Sequence, residues 1–203
     1  SVLCYAIIAI AALFSNCSET TEPDNSTAGL IPLKVGNSWN YKLTNYDSSG
    51  SISYIENQTS TIIRDTSISD YTWYAYNDAP NGIWFTNKSD GYWAFIKANT
   101  GSIINDTSIF VYKYPTNAGD IYGDPASPME VMATNKLISV TAGTFNVIHI
   151  VSTSVDTTNY LIDSFELFIA PQVGIIKTMQ IGRKPDGNKF IVYKRELESY
   201  NLK

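Results

Sequence analysis

The sequence predicts a mainly β fold: a curved antiparallel meander sheet or an incomplete β-barrel, with little helix. Three observations predict it. Apolar and polar side chains alternate with a period of two, as in Trp39, Tyr41 and Leu43 against Asn40, Lys42 and Thr44, the pattern of a half-buried strand. Clusters of turn residues, such as Asn77 to Gly82 and Lys184 to Asn188, punctuate these runs. No window beyond the amino terminus holds an apolar stripe of helical period for three turns. The chain has 203 residues, 44% hydrophobic and 16% charged. That is enough for one domain whose core needs neither metal nor disulfide, and it excludes a charge-rich disordered chain.

The amino terminus reads as an address label. Val2 to Phe14 runs without a charge or an amide. It is too short for a lone bilayer-spanning helix of about twenty apolar residues and fits the apolar core of an export signal. Leu13-Phe14-Ser15-Asn16-Cys17 follows, and resembles the bacterial lipoprotein signal, in which the cysteine becomes the first mature residue and carries lipid. The resemblance makes residues 1–17 a signal peptide and Cys17 the lipidated residue. Acyl chains would then hold a polar domain at a membrane without a spanning helix. A retained apolar anchor and a buried first element are the alternatives. Residues 18–29, beginning SETTEPDNSTA, lack apolar periodicity and read as a flexible tether. Residues 30–203 are read as a single antiparallel β domain.

After the strand at Trp39, Ser51 to Ile63 supplies a second strand with room for a third. Tyr71 to Tyr76 (YTWYAY) is aromatic and β-prone. Asn77 to Gly82 turns the chain into Ile83-Trp84-Phe85, and Asn87 to Gly91 turns it into Tyr92 to Lys97, a meander of hairpins. Ile109 to Tyr114 is a strand ended by Pro115. Thr116 to Pro128, with Pro125, Pro128, Gly119 and Gly123, reads as a long edge loop. Met129 to Thr134 and Lys136 to Val140 are two more strands, joined through Ala142-Gly143 to Thr144 to Ser152. That last run is apolar on both faces and therefore central. Asp156 to Asp163 holds a short turn or loop. Asp163 to Ile169 and Val173 to Ile181 flank the loop Ala170-Pro171-Gln172. Asp186-Gly187 permits the positive φ of a tight turn. Phe190 to Leu197 returns as the hairpin partner, with Ile191, Tyr193 and Leu197 alternating against Phe190, Val192 and Lys194.

Three short motifs recur in order: Gly36-Asn37-Ser38-Trp39-Asn40-Tyr41, Gly143-Thr144-Phe145, and Phe168-Ile169-Ala170-Pro171-Gln172-Val173-Gly174-Ile175-Ile176-Lys177. They resemble the G-x-x-W-x-Y opening, the G-x-F strand and the A-P-x-V-G segment of a group of bacterial periplasmic and lipoprotein β-domains near the DUF3108 and TapB2-like proteins. The resemblance covers most of residues 30 to 199. It implies a curved antiparallel sheet distantly like the LolA and LolB lipoprotein carriers, and it carries no catalytic residues.

Chemistry-bearing constellations are scarce. The net charge of -5 offers no electrostatic footprint for nucleic acid. His149 is the sole histidine, and a zinc site needs three or four ligands, so it reads as a satisfied sheet histidine and no metal is expected. The pairs Asp120 and Asp124, Asp156 and Asp163, Asp163 and Glu166, and Glu196 and Glu198 show no acid–base division of roles. Asp186-Gly187-Asn188 lacks the ligand pattern of a calcium loop. There is no nucleophile elbow and no phosphate-binding loop. The expectation is therefore no catalytic residue, no cofactor and no enzyme.

The aromatic load stands out: fourteen Tyr, four Trp and eight Phe. Many fall between Tyr71 and Trp93, where sequence neighbours must point to opposite faces. Trp73, Tyr76, Trp84, Tyr92 and Trp93 are therefore the candidate ligand-binding residues. Such rings suit a hydrophobic ligand, a glycan or an envelope protein. Ordinary cross-strand pairing is the bland alternative. The favoured function is a membrane-anchored lipoprotein whose non-enzymatic β domain binds a ligand or partner at the bacterial cell envelope. A structural subunit of an envelope complex or filament, self-associating as a homo-oligomer, is the alternative, and an unrecognised hydrolase comes last.

Overall fold

The structure is a computed structural model that describes residues 29–79, 82–96, 108–153 and 162–203. Cys17, the signal peptide, the tether up to Ala28, Lys97 and most of the Asp156 to Asp163 loop lie outside the described residues.

Twelve strands follow one another: β1 (Ser38–Tyr46), β2 (Ile52–Ile68), β3 (Tyr71–Tyr76), β4 (Ile83–Lys88), β5 (Gly91–Ile96), β6 (Ser108–Lys113), β7 (Ile121–Asp124), β8 (Ser127–Val140), β9 (Gly143–Thr153), β10 (Ser164–Ala170), β11 (Gly174–Arg183) and β12 (Lys189–Asn201). No helix is present among the described residues. The sheet order is β6-β5-β4-β3-β2-β1-β12-β11-β10-β9-β8-β7. Each strand thus pairs with its neighbours in sequence except β6 with β7, and β1 pairs antiparallel with β12 from Ser38–Asn201 to Asn45–Tyr193. The result is an antiparallel sheet nearly closed into a barrel, with one unsealed seam between β6 and β7.

Side chains bridge that seam. Lys113 Nζ lies 2.9 Å from Asp120 Oδ2. The same carboxylate accepts from the Asn117 amide at 2.8 Å and from Thr116 Oγ1 at 2.9 Å. These donors, the Asn117 amide foremost, hold the Asp120 carboxyl down at about 2. Phe110 of β6 meets Tyr122 of β7 edge-on at 5.6 Å.

Three sequence expectations are corrected here. The stretch from Ser51 is not two strands but the single long β2. Its first half pairs with β1 and its second half with β3, so the polar Glu56-Asn57-Gln58 interval is held by β1 alone. Thr116 to Pro128 is not wholly a loop, because β7 lies within it. Only Ile121 and Tyr122 give β7 apolar character, and its ladder to β8 forms it. Pro128 is tolerated near the start of β8, where a missing amide costs little. Finally, the two strands expected between Met129 and Val140 are one strand, β8, with register shifts between Val131 and Lys136.

The core lies inside the barrel. Ile62, Val131, Ile150, Leu167, Ile169, Ile176 and Leu197 are its fully or almost fully buried members. One end is closed by the segment before β1, where Leu30 and Ile31 are buried in the core. Asn87, in β4, clamps Ile31: its Nδ2 donates to the Ile31 carbonyl at 2.8 Å, and its Oδ1 accepts from the Ile31 amide at 3.4 Å. Across the barrel, the Gln172 amide donates to the Leu30 carbonyl at 3.3 Å, and Gln172 Nε2 donates to the Gly29 carbonyl. Glycine at 29 lets Asn87 close on the segment, since a Cβ there would overlap the Asn87 side chain and displace it. Asn87→Ala would leave both backbone groups of Ile31 without partners. The expected loss is about 1–3 kcal/mol in urea unfolding, with faster hydrogen exchange at the Ile31 amide. An unchanged exchange rate would show that the plug is held by its apolar side chains alone.

Candidate functional site

The two ends of the resemblance meet in space. Trp39 and Tyr41 point inward from β1. Trp39 Nε1 donates to the Val173 carbonyl at 2.7 Å, and Tyr41 Oη donates to the Ile175 carbonyl at 3.0 Å. Between those carbonyls sits Gly174, at φ +118°, where a Cβ would come within 3.1 Å of Trp39 Nε1. The tryptophan, the tyrosine and the glycine thus form one contact between β1 and the start of β11.

From Trp39 a row of rings crosses the inner wall. Trp39 lies 6.0 Å from Tyr76, Tyr76 meets Phe85 edge-on at 5.4 Å, Phe85 stacks on Tyr92 at 5.4 Å, and Tyr92 stacks on Tyr112 at 6.0 Å. Alternation places these residues of β1, β3, β4, β5 and β6 on one face. The small Ser60 of β2, opposite Trp39 in the ladder, leaves room for Trp39 and Tyr76 to meet.

The row walls a cavity of about 300 Å³ inside the barrel, with Ile31 of the plug and Ile175 completing its apolar lining. Burial raises the phenols of Tyr41, Tyr76 and Tyr92 well above their ordinary range and pushes Tyr112 up to about 12. These tyrosines stay neutral and offer apolar faces and hydroxyl groups, not proton acceptors.

One cation stands among these rings. Arg195 lies in β12 between Tyr193 and Leu197, at the inward parity. Its guanidinium carbon is 3.7 Å from the Tyr41 ring centroid, a cation–π contact. Its Nη2 is 3.9 Å from Asp78 Oδ2, beyond a hydrogen bond. Asp78 is instead tied through Oδ1, which accepts from Ser60 Oγ at 2.8 Å. Arg195 Nε is buried and has no acceptor among the described residues, an arrangement that costs on the order of 1–3 kcal/mol.

The structure divides the five sequence candidates between two faces. Tyr76 and Tyr92 lie in the inner row. Trp73, Trp84 and Trp93 are on the opposite face of the same strands. There Trp73 packs on Phe95 at 5.6 Å, and Trp93 packs edge-on against Phe110 at 5.2 Å. Basic side chains cover these outer rings: Lys88 Nζ is 4.2 Å from Trp93, 4.9 Å from Tyr71 and 5.5 Å from Trp73, and Arg64 lies 4.9 Å over Trp84.

Sequence reasoning did not single out Trp39, Tyr41, Phe85, Tyr112 or Arg195 as site residues. For Arg195 a signal existed: it shares the parity of Ile191, Tyr193 and Leu197, an apolar face on which a charge is out of place.

His149 lies on the outside of the sheet. Its Nε2 is 3.0 Å from Glu166 Oε2, its Nδ1 is 3.3 Å from Lys136 Nζ, and its ring stacks on Phe168 at 4.4 Å. Burial lowers its pKa, partly opposed by Glu166. The imidazole is a packed and partnered element of the sheet. Among the described residues no group of three His, Cys, Asp or Glu side chains is placed to hold a metal ion.

No protein-family model matches the chain, and no curated protein matches it. Solved structures are similar to it. A crystal structure of a "putative lipoprotein" from Parabacteroides distasonis superposes with a TM-score of 0.51 at 16% identity, covering 86% of this chain and 99% of that one. A crystal structure of a "putative exported protein with YmcC-like fold" from Bacteroides fragilis gives a TM-score of 0.52 at 11% identity, with the same coverage. At these identities the likeness is one of fold: the nearly closed antiparallel barrel described above is an architecture that this chain shares with both.

Proposed function

We propose that this protein is an exported bacterial lipoprotein, anchored in the cell envelope through lipid on Cys17, whose barrel binds a hydrophobic ligand without chemical turnover. The observation that carries the reading is the aromatic-walled cavity inside the barrel, a concave apolar site with few polar groups. The lipoprotein-like signal ending at Cys17 supports the anchor, and so does the fold shared with a protein described as a lipoprotein. The motif contact of Trp39, Tyr41 and Gly174 supports a place near the DUF3108 and TapB2-like group. The outer membrane, on its periplasmic or surface side, is the compartment this reading implies.

Expression of the full chain in a bacterial host fed radiolabelled palmitate tests the anchor. The wild type is expected to take up label and to sediment with membranes, and Cys17→Ala is expected to do neither. Label retained by Cys17→Ala would overturn the assignment. Organic extraction of the purified full chain, followed by mass spectrometry, tests the ligand reading: a stoichiometric apolar molecule is expected.

One observation favours the second reading, a subunit of an envelope assembly. The first half of β2 pairs with β1 on one side only, and Ile52, Tyr54 and Ile55 are exposed there. An open apolar edge of this kind accepts another strand.

A further inference from the structure

We infer that the cavity selects a monoanionic amphiphile, a single apolar body ended by a carboxylate, with Arg195 as its headgroup anchor. This rests on the cavity being the binding site and adds the charge of its ligand.

Among the described residues that line the aromatic cavity, Arg195 is the only cation. Its position is costly unless something uses it. The Tyr41 ring covers one face of the guanidinium at 3.7 Å, and the side chain keeps 21% of its surface exposed. Arginine has five N–H donors in the guanidinium plane, yet Nε has no acceptor among the described residues and Nη2 reaches Asp78 only at 3.9 Å. Asp78 is held back by Ser60, so it lowers the local potential without satisfying the donors. A carboxylate is the planar two-oxygen group that a guanidinium edge binds best.

The surroundings also give the ligand a direction. Arg195 stands where the aromatic cavity adjoins a second one lined by Glu56, Asn57, Gln58 and Thr59. The apolar body lies along the Tyr76, Phe85 and Tyr92 rings, and the charged end lies at Arg195, facing this polar rim. Asp78 and Glu56, both near the head, disfavour a second negative charge and so a doubly charged headgroup.

Isothermal titration of the full chain in phosphatidylcholine nanodiscs, with empty nanodiscs as the blank, tests this using decanoate and decanol as probes. Decanoate is expected to bind at least tenfold more tightly than decanol. Arg195→Gln should abolish that preference while leaving decanol binding in place. Asp78→Asn, which removes the competing carboxylate and keeps the cation, should tighten decanoate and leave decanol unchanged. Equal binding of the two probes, unaltered in both variants, would overturn the charge assignment and leave the hydrophobic-ligand reading standing. Binding of neither probe would overturn both.

Discussion

Trp39→Ala is expected to lower stability by about 3–5 kcal/mol, the range for truncating a large buried aromatic side chain. Trp39 is only 2% exposed. Its removal ends the aromatic row, vacates the space beside Gly174 and leaves the Val173 carbonyl without its donor. Trp39→Phe separates these effects. It keeps one six-membered aromatic ring but loses the N–H and the rest of the indole, so it should cost about 1 kcal/mol for the hydrogen bond plus a packing loss smaller than that of the alanine variant. Urea unfolding of the two variants beside the wild type measures the difference. If the alanine variant were no less stable than the phenylalanine variant, the contact between the two motifs would be incidental to the fold.

Gly91→Ala is expected to be the most disruptive single-methyl addition. Gly91 opens β5 at φ +154°, and a Cβ there would fall on the Tyr112 backbone carbonyl oxygen and come within 2.9 Å of the Phe110 ring. A backbone atom in a ladder cannot rotate away as a side chain can. The expected cost is about 1–3 kcal/mol for the backbone conformation and a similar amount for overpacking. Because Tyr92 and Tyr112 stack across the same two strands, the cavity wall should open as well. Gly187→Ala is the control: its φ is +86°, but nothing lies within 4 Å of an added Cβ. Thermal unfolding should show the Gly91 variant clearly below the Gly187 variant. Equal melting temperatures would mean that β5 and β6 can part without penalty.

These positions mark how far the sequence can be read. Period-two alternation disclosed the strands because it follows from backbone geometry, which needs no knowledge of the fold. The turn at Lys184 to Asn188 was legible for the same reason, while Pro80 and Asn81 at the centre of the Asn77 to Gly82 cluster lie outside the described residues. β7 was not, because two apolar residues carry too little local preference and its ladder to β8 makes it a strand. The unity of β2 was also hidden. Its polar middle, Glu56 to Gln58, is held by the β1 ladder, and the exchange of β1 for β3 at Thr61 and Ile62 leaves no mark in the alternation. For the site, alternation showed that neighbouring aromatics must divide between faces but not which face turns inward. That depends on the curvature of the sheet. Hence Tyr76 and Tyr92 joined the inner row while Trp73, Trp84 and Trp93 came to lie under Lys88 and Arg64. Arg195 was the subtler loss, since a single cation in a terminal strand reads as solvated until the parity of its neighbours is weighed.

The β1–β12 ladder has a consequence for assembly of the barrel. Every other ladder joins strands adjacent in the chain, so two arms of six strands can each zip from one hairpin to the next with little loop-closure entropy. The β1–β12 pairing, beginning at Ser38 with Asn201, is the one long-range ladder among the described strands, and across the seam opposite the arms meet through side chains around Asp120 and through Phe110 with Tyr122. Order in the aromatic cavity therefore depends on this ladder: fraying of β12 alone would swing Arg195 away from Tyr41, while Trp39 to Val173, Tyr41 to Ile175 and the Leu30–Ile31 segment still tied the two arms together.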